Sequence, residues 1–157
     1  MSDQVVRDLL SKALAWQDAH ATFDDAVKDI PADARGRVPE HLPYSAWQLL
    51  EHLRITQKDI LDFCVDGNYQ EMKWPDDYWP SSAAPSSDTA WDESIAAYKK
   101  DRTALQKLAA DTGTDLEAKI PHGSGQTYMR ELVLLIDHTA YHVGQLVLLR
   151  RLLGVWK

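Results

Sequence analysis

"DHTAYHVGQLVLLRRLLG", residues Asp137 to Gly154, places two histidines, His138 and His142, four residues apart in a stretch apolar enough to be a core helix. Four residues advance a helix by about 400°, so the two imidazoles project within roughly 40° of each other. Leu134, Tyr141, Gln145 and Leu149 share that side. A neutral imidazole has one lone-pair nitrogen, and two at this spacing can hold one divalent ion from a single rigid helix. The same spacing also occurs in histidine pairs that only pack. The apolar mid-helix setting favours a chemical reason, because unpartnered polar groups there are costly.

The helix carrying the pair is expected from about Thr127 to Leu153, with Gly154 after it. Three further helical segments precede it. The first runs from about Asp3 to Ile30, where Val6, Leu9, Leu10, Ala13, Trp16, His20, Phe23 and Val27 recur at three- and four-residue steps. Ser2 is placed to cap it and Pro31 to end it. The linker "PADARGRVPEHLP" follows. The second helix opens on the S-x-x-Q capping box of Ser45 and Gln48, with Tyr44 and Leu49 placed as a hydrophobic staple, and stops near Gly67. The third runs from about Thr89 to Asp111, with a stripe of Trp91, Ile95, Tyr98, Leu105 and Leu108 and a stop at Gly113.

Between the second and third helices lies "NYQEMKWPDDYWPSSAAPSS", where Pro75, Pro80 and Pro85 forbid a regular helix. Its Trp74, Tyr78 and Trp79 predict a connection that packs on the body. No segment reads convincingly as a strand. The expectation is an all-α chain, a four-helix bundle with a long crossover between helices 2 and 3, forming one domain over residues 1–157.

Composition bounds the function. The 157 residues are 45% hydrophobic and 26% charged, as in a soluble globular domain, and the net charge of -7 argues against a nucleic-acid footprint. The single cysteine, Cys64, excludes an internal disulfide framework and reads as packed rather than nucleophilic. No uninterrupted run approaches the roughly 18–20 apolar residues of a membrane span, and no signal peptide is evident, so the expected location is cytoplasmic. Nucleophile elbows, phosphate loops and dinucleotide fingerprints are all missing.

A third histidine, His52 in "WQLLEHLR", sits two turns past the second capping box. An antiparallel pairing of the second and fourth helices would bring it to His138 and His142, and three protein nitrogens with a position left open is the pattern of catalytic zinc. The E-x-x-H arrangement of di-iron bundles is absent. Glu51 and Asp137 each neighbour a histidine and point about 100° away from it, which leaves them only as outer partners. His20 either packs with a local hydrogen bond or lines the same pocket, and Tyr141 and Gln145 are placed to contact substrate. His122, in a glycine-rich loop, and His41, in a linker, are expected at the surface. Gly144, mid-helix, costs about 1 kcal/mol relative to alanine, which calls for a close approach by another helix or a second subunit. The apolar tail "LLGVWK" points to self-contact as well.

"WQLLEH" together with "DHTAYHVGQLVLLRRLLG" resembles the DinB-like superfamily of metal-binding four-helix bundles, which includes the YfiT-type proteins. The resemblance covers essentially the whole chain, and its most specific part is the H-x-x-x-H-x-x-Q run after a single upstream histidine. It implies that His52, His138 and His142 bind one divalent ion, zinc or nickel, beside a cavity with open coordination positions. It also implies a homodimer and a small-molecule substrate. Better-understood members act as S-transferases or isomerases using low-molecular-weight thiols, and others are assigned to hydrolysis. A metal that only ties two helices together in a non-catalytic, stress-related protein is the competing expectation.

Overall fold

The computed structural model describes residues 3–157, and these contain helices and no strand. Ser2, the expected first cap, lies outside the described residues. The helices are α1 (Asp3–Ala13), α2 (Phe23–Val27), α3 (Ala32–Arg35), α4 (Ala46–Val65), α5 (Asp88–Ala110) and α6 (Tyr128–Leu152). The three long ones begin as their sequences dictate. Ser45 and Gln48 form the reciprocal capping box of α4, Ser87 caps α5, and Thr127 caps α6.

The expected first helix is two helices instead, α1 and α2, and α3 falls in the linker after Pro31. The apolar spacing from Val6 to Val27 hides a break after Ala13. A second capping box causes the restart: Thr22 accepts from the Asp25 backbone N–H at 3.0 Å, while the Asp25 carboxylate accepts from the Thr22 N–H at 3.0 Å. Asp29 then adopts a left-handed φ of 54°, which ends α2 before Pro31. Phe23, Val27 and Ile30 are buried all the same, because the separate helices turn their apolar sides to one core.

Two apolar clusters fill the interior. One joins Phe23, Leu49, Leu50, Leu53, Trp91, Tyr98, Val143, Leu146 and Leu149. The other joins Leu10, Ile60, Leu61, Leu105, Ala109, Leu132 and Leu135. The first half of α4 therefore meets the first half of α5 and the second half of α6. That pairing makes α4 and α5 parallel and α6 antiparallel to both. Parallel neighbours in sequence need a connection long enough to return to the starting end, which is the work of residues 66–87.

Between the two clusters α4 turns polar. His52, Thr56 and Gln57 are buried there, facing His138, Thr139 and His142 at the same height of α6. Thr56 donates to the His52 carbonyl at 2.7 Å, and Gln57 donates to the Tyr98 carbonyl at 2.7 Å. The layer is satisfied by design on the α4 side.

The crossover packs through Tyr78 and Trp79, whereas Trp74, expected to pack with them, is 67% exposed. Trp79 stacks with Tyr44 at 6.0 Å, and the Ser45 hydroxyl donates to the Ala83 carbonyl. Gly36 belongs to this seam: a Cβ there would lie 2.5 Å from the Ala84 Cβ. Gly144 is the opposite case, with nothing within 4 Å of a built Cβ, so no helix of the same chain approaches it. The tail folds back rather than hanging free. Val155 packs on the first cluster, and the Arg150 guanidinium lies 4.7 Å from the Trp156 ring, while Leu152 stays exposed. Averaged over 18 residues, α6 reaches a mean hydropathy of 1.4, long and apolar enough by length and composition to cross a membrane, although no unbroken apolar run announces it.

Candidate metal centre

His52 is 1% exposed on α4. Its Nδ1 lies 2.9 Å from the Tyr78 carbonyl oxygen, which can only accept, so Nδ1 carries the proton and Nε2 keeps the lone pair. Trp79 covers the ring face at 3.9 Å and 6°. On α6, His142 Nδ1 lies 2.7 Å from Gln145 Oε1, and the amide oxygen can again only accept, so His142 also keeps its lone pair on Nε2. His138 Nε2 stands 3.1 Å from His52 Nε2. One ligand atom from each of the three rings lies within 4.8 Å of the others.

The His52–His138 separation suits an ion. Two nitrogens each about 2.0–2.1 Å from one metal are about 2.8–3.4 Å apart as the angle between them opens from square to tetrahedral. The donor set also suits one. Burial, and then the neighbouring His142 and His52, push the His138 imidazole down to about 3. Burial and His52 push His142 down to about 4 against the opposing Gln145 hydrogen bond. Burial lowers His52 as well, with the Tyr78 bond opposing. All three are therefore neutral near neutral pH, as ligation requires. Without an ion, His138 must donate Nε2–H to His52, and its buried Nδ1 then has no partner. A cation between the three lone pairs would compensate that desolvated cluster.

The other sequence candidates lie around or away from this centre. Gln145 orients His142 rather than facing an incoming ligand. Tyr141 is 64% exposed, with its ring centroid 4.9 Å from that of His142 in an edge-on arrangement. His20 does not join the group: it is exposed beside Ala21 and lines a separate cavity of about 130 Å³ with Trp16, Phe23, Arg102 and Thr139, which none of the three histidines lines. The break after Ala13 is what carries it away. Glu51 turns from His52 to a bidentate pairing with Arg54 and to Ser94, so it is no outer partner of the site. Burial pushes the Cys64 thiol up to about 12, which leaves it inert. His122 is exposed, yet its Nε2 meets the Phe63 carbonyl at 2.9 Å.

Sequence reading missed Tyr78 and Trp79 as neighbours of His52. It saw aromatic residues between prolines, which signal packing, but nothing in the pattern says on what. It missed Asp59 too, whose carboxylate oxygens each accept from a phenol, Tyr69 and Tyr78, at 2.8 Å. A cleft of about 450 Å³ opens here, lined by Asp59, Phe63, Tyr69, Tyr78, His122 and Leu134 among others. Leu134 is one turn before His138 and Asp59 two turns after His52, so the cleft lies next to the histidine group, although none of the three histidines lines it.

No curated protein matches the chain, and neither does any solved structure. A family model described as the DinB superfamily matches residues 15–146, a span that includes α2 to α5, most of α6 and all three clustered histidines. That span is well over half of the sequence, and the chain belongs to the DinB superfamily.

Proposed function

We propose that this single-domain protein is a metal-dependent enzyme built on the four-helix bundle of its family, with His52, His138 and His142 as the ligands of one zinc or nickel ion. The observation that carries the reading is the meeting of three neutral imidazoles from two helices, two buried and one half-buried, two of them with Nδ1 committed to oxygen acceptors and the lone pair left on Nε2. The ion would supply Lewis acidity at a position left open by only three protein ligands, lowering the pKa of an incoming thiol or water.

The chain's own residues do the rest. Tyr78 and Gln145 hold two rings in the ligating tautomer. Trp79 covers His52 and keeps water from its face. The cleft beside Leu134 and Asp59 has room for the body of a small substrate. Transfer to or from a low-molecular-weight thiol is the preferred reaction, with hydrolysis second. Both fit a cytoplasmic protein that binds neither nucleic acid nor membrane. Mid-helix Asp137, His138 and His142 weigh against α6 as a lipid-facing span. Val133, Leu134, Tyr141, Leu148 and Leu152 are exposed along α6, and a homodimer would cover them.

Elemental analysis of untagged protein is the first test, with about one equivalent of ion per chain expected and its loss in His52→Ala. Less than about a tenth of an equivalent in the parent protein would overturn the metal reading. Because the site ties α4 to α6 at mid-height, a purely structural metal is the second reading. A chelated protein that keeps its fold but loses turnover supports catalysis. One that unfolds, with no thiol or ester substrate turned over by the loaded form, supports the structural role.

A further inference from the structure

Tyr78 is held at both ends. Its backbone carbonyl accepts from His52 Nδ1 at 2.9 Å, and its phenol donates to Asp59 at 2.8 Å. It closes the short 3₁₀ turn Asp76–Tyr78, in which the Tyr78 N–H reaches back to the Pro75 carbonyl at 3.1 Å. The next residue, Trp79, stacks on the same imidazole. Asp59 is on α4 itself, two turns beyond His52, so one helix supplies both the histidine and the anchor for the loop that orients it. Tyr69 takes the other Asp59 oxygen and makes no contact with His52.

We propose that Asp59, acting through the Tyr78 phenol, is a positioning residue that sets the tautomer and orientation of His52. Other contacts also hold the crossover to the α4 end: Tyr69 reaches the same Asp59 carboxylate, Gln48 Nε2 donates to the Pro80 carbonyl at 3.4 Å, and Ser45 donates to the Ala83 carbonyl. Between them Asp76, Asp77 and Trp74 are exposed, and the phenol of Tyr78 tethers the very residue whose carbonyl meets His52. Without the phenol anchor, the turn loses its own side-chain bond to the middle of α4. The carbonyl then drifts from Nδ1, and the His52 proton redistributes between its two nitrogens. Asp59 touches no reacting atom in this scheme, and Tyr78 touches only the ligand.

Two measurements on the full-length protein decide it. Imidazole ¹⁵N shifts of the metal-free protein report which His52 nitrogen carries the proton. Competition with a chromophoric chelator reports zinc affinity. Tyr78→Phe keeps the carbonyl and loses the anchor, so His52 should pass from a single Nδ1–H form to a mixture, with zinc bound about 10–100-fold more weakly, the usual cost of losing an outer partner of a ligand. Asp59→Ala should do the same, and the double variant should be no worse than either single one. Tyr69→Phe removes the other phenol from Asp59 but leaves the Tyr78–Asp59 bond and the Tyr78 carbonyl in place, so it should disturb both readouts clearly less than Tyr78→Phe.

An unchanged His52 tautomer in Tyr78→Phe would overturn the proposal, and so would equal losses in Tyr69→Phe, which mean general loosening of the loop. The affinity readout rests on the metal reading, and the tautomer readout does not. A parent protein that binds no zinc but shows the tautomer shift sinks the metal reading and leaves the positioning role standing.

Discussion

His142 donates its Nδ1 proton to Gln145 at 2.7 Å and so keeps its lone pair on Nε2. Gln145→Ala removes that acceptor while leaving the ligand, and zinc affinity is expected to fall about tenfold or more, read by chelator competition. Helical content should be unchanged, because glutamine and alanine are both good helix formers. Burial has a second consequence at this scale. In the unfolded chain these imidazoles take up protons below about pH 6.5. In the folded chain His138 resists until about 3 and His142 until about 4. Protons are therefore bound preferentially by the unfolded state across that interval, and the metal-free protein loses stability as pH falls through it. Calorimetry from neutral pH to about pH 4.5 should show this decline, flattened in His138→Leu. The depressed carboxylates act lower. At Asp24 burial raises the group, but hydrogen bonds from Lys99 and Arg102 outweigh it, so its contribution is lost only below the usual carboxylate range.

At the scale of elements, legibility followed the caps. Helix α4 could be read almost to the residue, because S-x-x-Q states its start in side-chain chemistry as well as in periodicity. The N-terminal segment was misread because periodicity alone cannot tell one helix from two that face the same core. The T-x-x-D box at Thr22 and Asp25 was the signal that went unused. The crossover was legible as packed but not in its contacts, since they are made by backbone carbonyls and ring faces rather than by a repeating pattern. Its seam with Gly36 can be tested. Gly36→Ala drives a Cβ into Ala84, and overpacking of this kind costs about 1–3 kcal/mol, measurable by urea unfolding. On α6, Leu148 is half exposed and Gly144 stands open. If a second copy covers that face, Leu148→Glu should give a monomer by light scattering at micromolar concentration where the parent is a dimer.

Across the whole molecule, a polar layer divides the core. Apolar contacts hold the lower ends of α4 and α6 to α1 and α5 in one cluster, and their upper ends to α2 in another. Burial in the layer between them gives back little hydrophobic free energy, and it is where the three histidines sit. The histidines themselves were legible, because two imidazoles on one apolar face are costly without a reason and a third was in reach. Their convergence was not, since it depends on α4 and α6 being antiparallel, which no local pattern states. Ion binding should raise the melting temperature by a few degrees or more at saturating zinc, as for any ligand that binds only the folded state, and His52→Ala should abolish the rise.

The donors in that layer are all uncharged. No carboxylate or thiolate belongs to the histidine group, and Cys64, the chain's sole thiol, is kept protonated elsewhere. An ion held there would retain its whole double charge inside a chain whose net charge is -7. Such a centre is an anion trap set in an anionic body. Small anions such as azide or thiocyanate should compete for its open side, while the surrounding field slows the approach of anything larger that carries the same sign.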